Sequence, residues 1–372
     1  MRSIDSILDK SPIHLVAIAE KVLDGVRITS EEGITLYQEG ELGFLGVLAN
    51  HVREKKNGNY TYYNKNLHIE PTNLCVFDCK FCSYSRLLKQ KESDDAWTMT
   101  DVEILESIKK NKEPITEIHI VGGVHPKMDL YYFATLIKNI KAIRPDLHIK
   151  AFTAVELDYM FSKAKVNYET GINILKEHGL GSIPGGGAEI FDLEIRNQIC
   201  KDKCTSQQWL EIHKTTHLAG IHSNATMLYG HIESFAHRVD HMDKLRKLQD
   251  ETKGFNCFIP LKFRSSNNQM SHIKEVSVIE DLRNYAISRI FLDNFTHLKA
   301  YWPMIGQNTA QLSLQFGVDD LDGTINDSTK IYSMAGAEDQ NPTLTSTQII
   351  HLIKQAGRTP AERDTLYNII GN

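Results

Sequence analysis

A chain of 372 residues with 41% hydrophobic and 24% charged residues has the profile of a folded globular protein, long enough to build a core without disulfide staples. Its 42 Lys+Arg against 47 Asp+Glu leave a net charge of −5, which excludes an overall basic field for nucleic acid or anionic lipid. No run reaches the roughly 18 consecutive apolar residues of a membrane span, and Asp5 and Asp9 stand where a secretory signal needs an apolar stretch. A cytoplasmic chain with reduced thiols, no membrane insertion and no nucleic-acid partner is therefore expected.

The first 60 residues read as helical. Ile4, Ile7 and Leu8, then Val16, Ala19, Val22 and Leu23, recur at helical spacing, and Gly25 closes the run. Two further segments follow, around Glu31 to Gln38 and from Leu42 to Lys56, the second ended by Asn57-Gly58. From Leu67 the pattern changes to short strands alternating with helices. Strands are expected at 67–70, 118–121, 149–152, 180–183, 221–228, 256–263 and 298–302. Leu130, Phe133, Leu136, Ile137 and Ile140 mark one face of a helix that Pro145 ends. Thr100 with Glu103 and Thr205 with Gln208 have the capping-box form, while Gly179 and Gly220 sit at expected helix ends. Seven or eight such β/α units predict an α/β fold of the TIM-barrel type. The expected divisions are an N-terminal helical extension (1–60), the barrel (61–330) and a C-terminal helical extension packed on it (331–372).

The strongest chemical signal is Cys75-Val-Phe-Asp-Cys79-Lys-Phe-Cys82. It holds half of the chain's six cysteines and follows the first barrel strand, where such barrels place their chemistry. Three thiolates on one loop can hold three irons of a [4Fe–4S] cube and leave the fourth open to a ligand. Zinc also takes thiolates, but a finger site needs a fourth ligand and no Cys or His follows Cys82 at finger spacing.

This C-x3-C-x2-C spacing is similar to that of the radical S-adenosylmethionine (SAM) enzymes. Phe81 stands where they place an aromatic against the adenine, and Gly122-Gly123 resembles the glycine pair whose backbone receives the SAM amino group. Val124 follows where many relatives have Glu. Within that superfamily the chain resembles the aminofutalosine synthases of menaquinone biosynthesis. The likeness is carried by His119-Ile-Val-Gly-Gly-Val-His-Pro126, Lys150-Ala-Phe-Thr-Ala-Val-Glu156, Gly181-Ser-Ile-Pro-Gly-Gly-Gly-Ala-Glu189, Ser223-Asn-Ala-Thr-Met-Leu-Tyr-Gly-His231, Leu248-Gln-Asp-Glu-Thr252, Lys299-Ala-Tyr-Trp302 and Asp319-Asp-Leu-Asp-Gly-Thr324. Sister enzymes, cyclic dehypoxanthine futalosine synthase and the deazaflavin-cofactor synthase, share part of this set. Ala-Phe-Thr-Ala-Val-Glu and Lys-Ala-Tyr-Trp are the stretches whose resemblance is to the aminofutalosine type in particular.

The resemblance implies one [4Fe–4S] cluster on Cys75, Cys79 and Cys82, and SAM consumed as a co-substrate. It implies addition of the 5′-deoxyadenosyl radical to 3-[(1-carboxyvinyl)oxy]benzoate, then rearrangement and decarboxylation to 6-amino-6-deoxyfutalosine. An electron donor such as flavodoxin or ferredoxin is implied as a partner. A sister enzyme is the alternative within the class, and a zinc-dependent hydrolase the alternative outside it. Phe81, Gly122, Gly123, Thr153, Ser182, Glu189 and Asn224 are candidates for binding SAM or substrate, with His125 and Glu156 as catalytic candidates. His213 with His217 and His237 with His241 have metal-like spacing, but Lys214 and Arg238 stand where HExxH needs Glu, so solvated helix faces are expected. Cys200, Cys204 and Cys257 are expected to be structural. The Gly185-Gly186-Gly187 run lacks the Lys-Ser/Thr of a phosphate loop.

Overall fold

The computed structural model of the chain describes residues 8–111, 114–325, 330–336 and 342–371. Ile4 and Ile7 of the first expected helix lie outside that range. Three helices open the described chain: α1 (Ile13–Leu23), α2 (Ser30–Glu39) and α3 (Leu42–Asn57). Helix α1 buries Leu15, Ile18, Ala19 and Val22, the single stripe that its 3.6-residue period dictates. Thr29 and Glu32 form a capping box that starts α2.

Strands β1 (Tyr60–Asn64) and β2 (Asn66–Ile69) follow, then β3 (Leu74–Cys75) and β4 (Arg86–Leu87) within the cysteine loop. The β/α alternation continues with α4 (Asp101–Lys110), β5 (Glu117–Ile120), α5 (Leu130–Ile143), β6 (His148–Ala151), α6 (Ala154–Ala164), α7 (Tyr168–His178) and β7 (Ser182–Ile183). It completes with α8 (Leu193–Ile199), α9 (Ser206–Leu218), β8 (His222–Tyr229), α10 (Phe235–Thr252), β9 (Phe255–Lys262), α11 (Val278–Phe291), β10 (His297–Leu298), α12 (Gln307–Ser313), β11 (Asp320–Gly323), α13 (Ser346–Gln355) and β12 (Thr359–Glu362). The expected barrel strands fall within one or two residues of the observed ones, except that β10 stops at Leu298. Both expected capping boxes form, on α4 and α9, and Gly179 takes the left-handed cap of α7.

Seven parallel strands, in the order β10-β9-β8-β7-β6-β5-β2, curl into the wall of the barrel. A second sheet, β11-β1-β12, closes the gap: Lys299 bridges Asp320 beside β10, and β1 continues through Lys65 into β2. Helices cover the outside, with α5 setting Phe133, Leu136, Ile137 and Ile140 among the buried residues of the core. Helix α3 packs on α11, so the N-terminal segment rests on the barrel's own helical layer. Among the described residues no helix is long and apolar enough to cross a membrane.

The C-terminal segment departs from the expected helical extension. Only α13 is a long helix there; Thr359–Glu362 instead pairs in parallel with Tyr60–Tyr63 at the edge of the small sheet. Pro360 suits an edge strand, where its missing N–H is tolerated. The residues that follow tuck under the amino ends of the strands. Arg363 Nε donates to Asp320 Oδ2 at 2.5 Å, Thr365 Oγ1 donates to Glu117 Oε2 at 2.6 Å, and the Tyr367 ring stacks on His297 at 3.7 Å. This tail forms the floor of the barrel.

The floor is also charged inside. Lys150 pairs with Glu117, Lys299 with Asp322 at 2.9 Å, and Arg289 with Asp319, all buried. Removing one partner from such a pair leaves an uncompensated buried charge. Arg363→Ala is accordingly expected to lower unfolding stability by about 3–5 kcal/mol, read from urea titrations, and Arg363→Ala with Asp320→Ala to recover part of it. A loss below about 1 kcal/mol would show that the pair is solvated.

Candidate functional site

The cysteine loop starts where β2 ends. Thr72 Oγ1 donates to the Trp97 carbonyl at 2.8 Å, Asn73 Oδ1 accepts from Trp97 N at 2.9 Å, and Tyr84 Oη donates to the Thr72 carbonyl at 3.0 Å. With β3 paired to β4, these bonds close the base of the loop and leave residues 76–85 as a defined lobe. Cys75 and Cys79 are buried and Cys82 is partly exposed; none is in a disulfide. Backbone amides point at two of the sulfurs. Phe77 N and Val124 N each donate to Cys75 Sγ at 3.4 Å, and Ser85 N donates to Cys82 Sγ at 3.4 Å. Burial pushes the Cys75 and Cys79 thiols up, while the Lys203 ammonium pulls both back toward thiolate.

This donor set fits an iron–sulfur cube. Amide hydrogen bonds to sulfur are among the levers that set a cluster's potential, and a nearby cation offsets its thiolates. Among the described residues no three His, Cys, Asp or Glu side chains converge on one point as a single metal ion requires.

Gly122-Gly123 follows β5 and runs against the approach to Cys75. Gly123 N donates to the Thr72 carbonyl at 2.7 Å. A Cβ on Gly123 would stand 2.4 Å from the Leu74 oxygen, and one on Gly122 2.7 Å from the Thr72 oxygen. The pair is thus required by chain packing as well as by any ligand above it, and it brings Val124 N onto Cys75 Sγ.

Beside it, Thr153 and Glu156 form the capping box of α6. Glu156 Oε2 accepts from Thr153 N and Oγ1, each at 2.7 Å, and the carboxylate also takes a bond from Gly122 backbone. Burial outweighs these bonds and lifts the Glu156 carboxyl to about 7. Thr153, Glu156 and Gly122 therefore meet at one corner of the barrel mouth.

The adjoining wall is the Gly185–Glu189 loop after β7, where a Cβ on Gly186 would stand 2.8 Å from Thr153. Gly185 lies so close to β8 that a Cβ would be 2.5 Å from the Asn224 oxygen, and Glu189 takes a left-handed φ of 46°. Arg196 holds this loop by donating to the Ala188 and Cys204 carbonyls, each at 2.6 Å. Glu189 Oε1 accepts from Lys203 Nζ at 2.6 Å, and that ammonium lies 5.0 Å from the Phe81 ring centroid. Lys203 thus links Glu189, Phe81 and Cys79. The sequence reading missed it, because nothing in Cys200-Lys-Asp-Lys203-Cys204 marks one lysine over another. Glu70 was missed too. It is buried at the end of β2, its Oε2 accepting from Lys330 N at 3.1 Å.

The other candidates lie at the rim, behind the loop or deeper in the barrel. Ser182 Oγ bonds to His148 Nε2 at 2.8 Å, toward the amino end of β6. His125 Nδ1 accepts from Lys127 N at 3.1 Å, and the charges that reach it are those of Lys127 and Lys163. Asn224 is buried within β8. The histidine pairs are not solvated faces as expected. His213 and His217 share Ser223 Oγ at 2.8 and 2.7 Å, and buried His241 Nε2 bonds to the Thr226 carbonyl at 2.8 Å; His217 and His237 are only partly exposed. Their partners are internal because β8 needs its polar groups satisfied beneath α9 and α10. Cys200 faces Cys79, whereas Cys257 sits among Lys299, Asp320 and Tyr367 at the floor, so these two do not share a site.

The family model of the radical SAM superfamily matches residues 69–245, and that of the CofH/MqnC C-terminal region matches residues 252–371. An aminodeoxyfutalosine synthase from Thermus thermophilus is 43% identical over 95% of each chain. One from Streptomyces coelicolor is 38% identical over 95% of this chain and 93% of its own. Among solved structures, methylornithine synthase superposes with a TM-score of 0.73 at 16% identity, covering 92% of this chain and 97% of its own, a likeness of fold alone.

The Glu156 environment has a measurable consequence. A carboxyl whose folded pKa is raised to about 7 favours folding fully below its unfolded value, and that contribution is lost as pH rises through 7. The unfolding free energy of the wild type relative to Glu156→Gln is expected to fall by about 3 kcal/mol between pH 5 and 8.5, measured by urea titration. A difference flat with pH would place Glu156 in a solvated setting.

Proposed function

The chain belongs to the aminodeoxyfutalosine synthase family of radical SAM enzymes, and we propose that it joins the 5′-deoxyadenosyl unit of SAM to 3-[(1-carboxyvinyl)oxy]benzoate, yielding 6-amino-6-deoxyfutalosine with loss of carboxylate. The observation that carries this reading is 43% identity to such a synthase across 95% of both chains, with the cysteine loop intact at the barrel mouth. In this reading residues 61–330 are the catalytic barrel, with an N-terminal extension at 1–60 and a C-terminal extension at 331–372.

Cys75, Cys79 and Cys82 would hold a [4Fe–4S] cluster, which when bound supplies the electron that cleaves the sulfonium of SAM. The chain's own groups then have positioning roles. The Gly122-Gly123 backbone is fixed against Thr72 and Leu74, with N–H groups engaged by Glu156 and the Thr72 carbonyl, and its carbonyl oxygens are the groups that suit the SAM ammonium. Phe81 gives the adenine a flat apolar contact. Lys203 is held over Phe81 by Glu189, a placement that suits the methionine carboxylate, while Glu189 itself suits a ribose or ammonium donor. Thr153 and Glu156 brace the glycine pair through Gly122. Asn224 backs the Gly185 loop from β8. Ser182, bonded to His148, and His125, on the rim, support the reading as framework rather than contact groups. The barrel walls exclude water from the reacting carbons. An electron donor of the flavodoxin or ferredoxin kind, in a reducing cytoplasm, completes the scheme.

The test is anaerobic mass spectrometry of the reduced, cluster-loaded protein with SAM and 3-[(1-carboxyvinyl)oxy]benzoate. The expected product joins the adenosyl unit to the benzoate; free 5′-deoxyadenosine without an adduct would transfer the chain to a sister activity. Cys79→Ala is expected to lose the four-iron complement and SAM cleavage together. A variant that keeps both would remove the loop from the chemistry.

A further inference from the structure

The lumen beneath the glycine pair is polar, and its members come from opposite walls. Lys150 stands on β6, Lys299 follows β10, and Asp322 is on β11, yet both ammonium groups act on Asp322 and on Glu117 of β5. Side chains from strands so far apart in the sheet order meet only inside the barrel. His119 and His68 belong to the same interior: their rings contact edge to face at 4.6 Å in register across β5 and β2. Tyr301, after β10, lies near-parallel to His68 at 6.5 Å and 19°.

The charges at this level pair off. Lys150 takes Glu117, Lys299 takes Asp322, and Arg363 takes Asp320. The neutral groups differ. Asn66 Oδ1 accepts from Ile325 N at 2.9 Å, which turns its Nδ2 toward His68 Nε2 at 3.3 Å. His68 Nε2 is then the acceptor, and its hydrogen sits on Nδ1. His119 Nε2 is buried with no hydrogen-bond partner, while the residue as a whole is partly exposed. On a strand flanked by two others and covered outside by helices, that exposure is to the lumen. Burial first, then Lys150 and His68 against the opposing pull of Glu117, hold the imidazole neutral, so it can donate one N–H.

We propose that His119 binds the ring carboxylate of an aryl carboxylate substrate at the base of the lumen, with His68 and Tyr301 lining the aromatic ring. The proposal rests on the reaction above, whose substrate carries one carboxylate on its ring and one on its enol ether. His119 lies three residues before Gly122 on one strand, or ~10 Å below the mouth at ~3.3 Å per residue. A meta-substituted benzoate standing on His119 presents its ether end upward, toward Phe81 and the glycine pair. An imidazole N–H supplies a directed donor without leaving an unpaired cation buried when the pocket is empty.

Two unreactive ligands separate this role from a structural one. 3-(1-Carboxyethoxy)benzoate keeps both carboxylates but lacks the double bond; 2-phenoxypropanoate also lacks the ring carboxylate. Calorimetric titration of cluster-loaded protein is expected to show wild type preferring the diacid. His119→Ala is expected to weaken diacid binding by about ten- to a hundredfold and to leave the monoacid unchanged, with His119→Gln restoring part of the loss. Melting curves of both variants control for folding. Equal weakening of both ligands, no weakening, or a wild type without preference for the diacid would overturn the proposal. Failure of wild type to form the adenosyl adduct overturns the reaction instead, while selective loss of diacid binding in His119→Ala would still establish the aryl carboxylate site.

Discussion

Everything at the mouth of this barrel depends on how closely β5 runs past the strand leading into the cysteine loop. The contact tolerates no side chain: a Cβ at Gly123 would sit 2.4 Å from a carbonyl oxygen that nothing can move without shifting Cys75. Through that contact Val124 N reaches Cys75 Sγ, and Gly122 backbone reaches the capping carboxylate of α6. Three parts of the chain, the loop, the end of β5 and the start of α6, are therefore one mechanical unit. A ligand resting on the glycine backbone would be fixed relative to the cluster sulfurs by the packing of backbone on backbone, which is stiffer than any side-chain hinge.

The second wall is built by charge rather than by close approach. Lys203 crosses from the α8–α9 connection to meet Glu189, and it lies near Phe81 and Cys79 as well. An ammonium that is buried must have a partner. Here the partner is a carboxylate on a strained residue, Glu189 at a φ of 46°, a conformation that persists because Arg196 ties down the carbonyls around it. The cation that offsets the thiolates thus also locks the loop facing them, and electrostatics and geometry at the mouth cannot be varied independently.

What was legible in the sequence followed from spacing. Three cysteines within eight residues, a glycine pair after an apolar strand and the capping boxes are local patterns, and the structure places them on the elements expected. Groups whose meaning depends on partners far along the chain left no such mark. Lys203 meets Phe81 over 122 positions, and Glu70 meets Lys330 over 260. Strand β11 escaped for a related reason. No strand was expected over Asp320-Leu321-Asp322-Gly323, and a carboxylate on every second residue argues against a buried one. Those carboxylates are tolerated because Arg363 and Lys299 meet them inside the barrel, a fact held in the tertiary fold alone. The buried histidines were misjudged likewise: a helical His-x3-His pair looks solvated until the serine of the neighbouring strand is placed beneath it.

The composition of the lumen follows from two demands in conflict. Chemistry on reactive carbon centres needs an interior free of bulk water, yet a substrate with two carboxylates needs polar groups to hold it. Unpaired buried cations would serve the second demand at a severe desolvation cost in the empty protein. The barrel instead pairs each deep cation with a carboxylate, Lys150 with Glu117 on the neighbouring strand and Arg363 with Asp320 from the C-terminal tail. The net charge of the floor is cancelled, while neutral imidazole donors remain above it. A neutral donor is desolvated far more cheaply than an ion, so the empty pocket stays stable and its directionality is preserved. The C-terminal tail is therefore part of the electrostatic design: without Arg363 to balance Asp320, the floor would carry a surplus negative charge facing an anionic substrate.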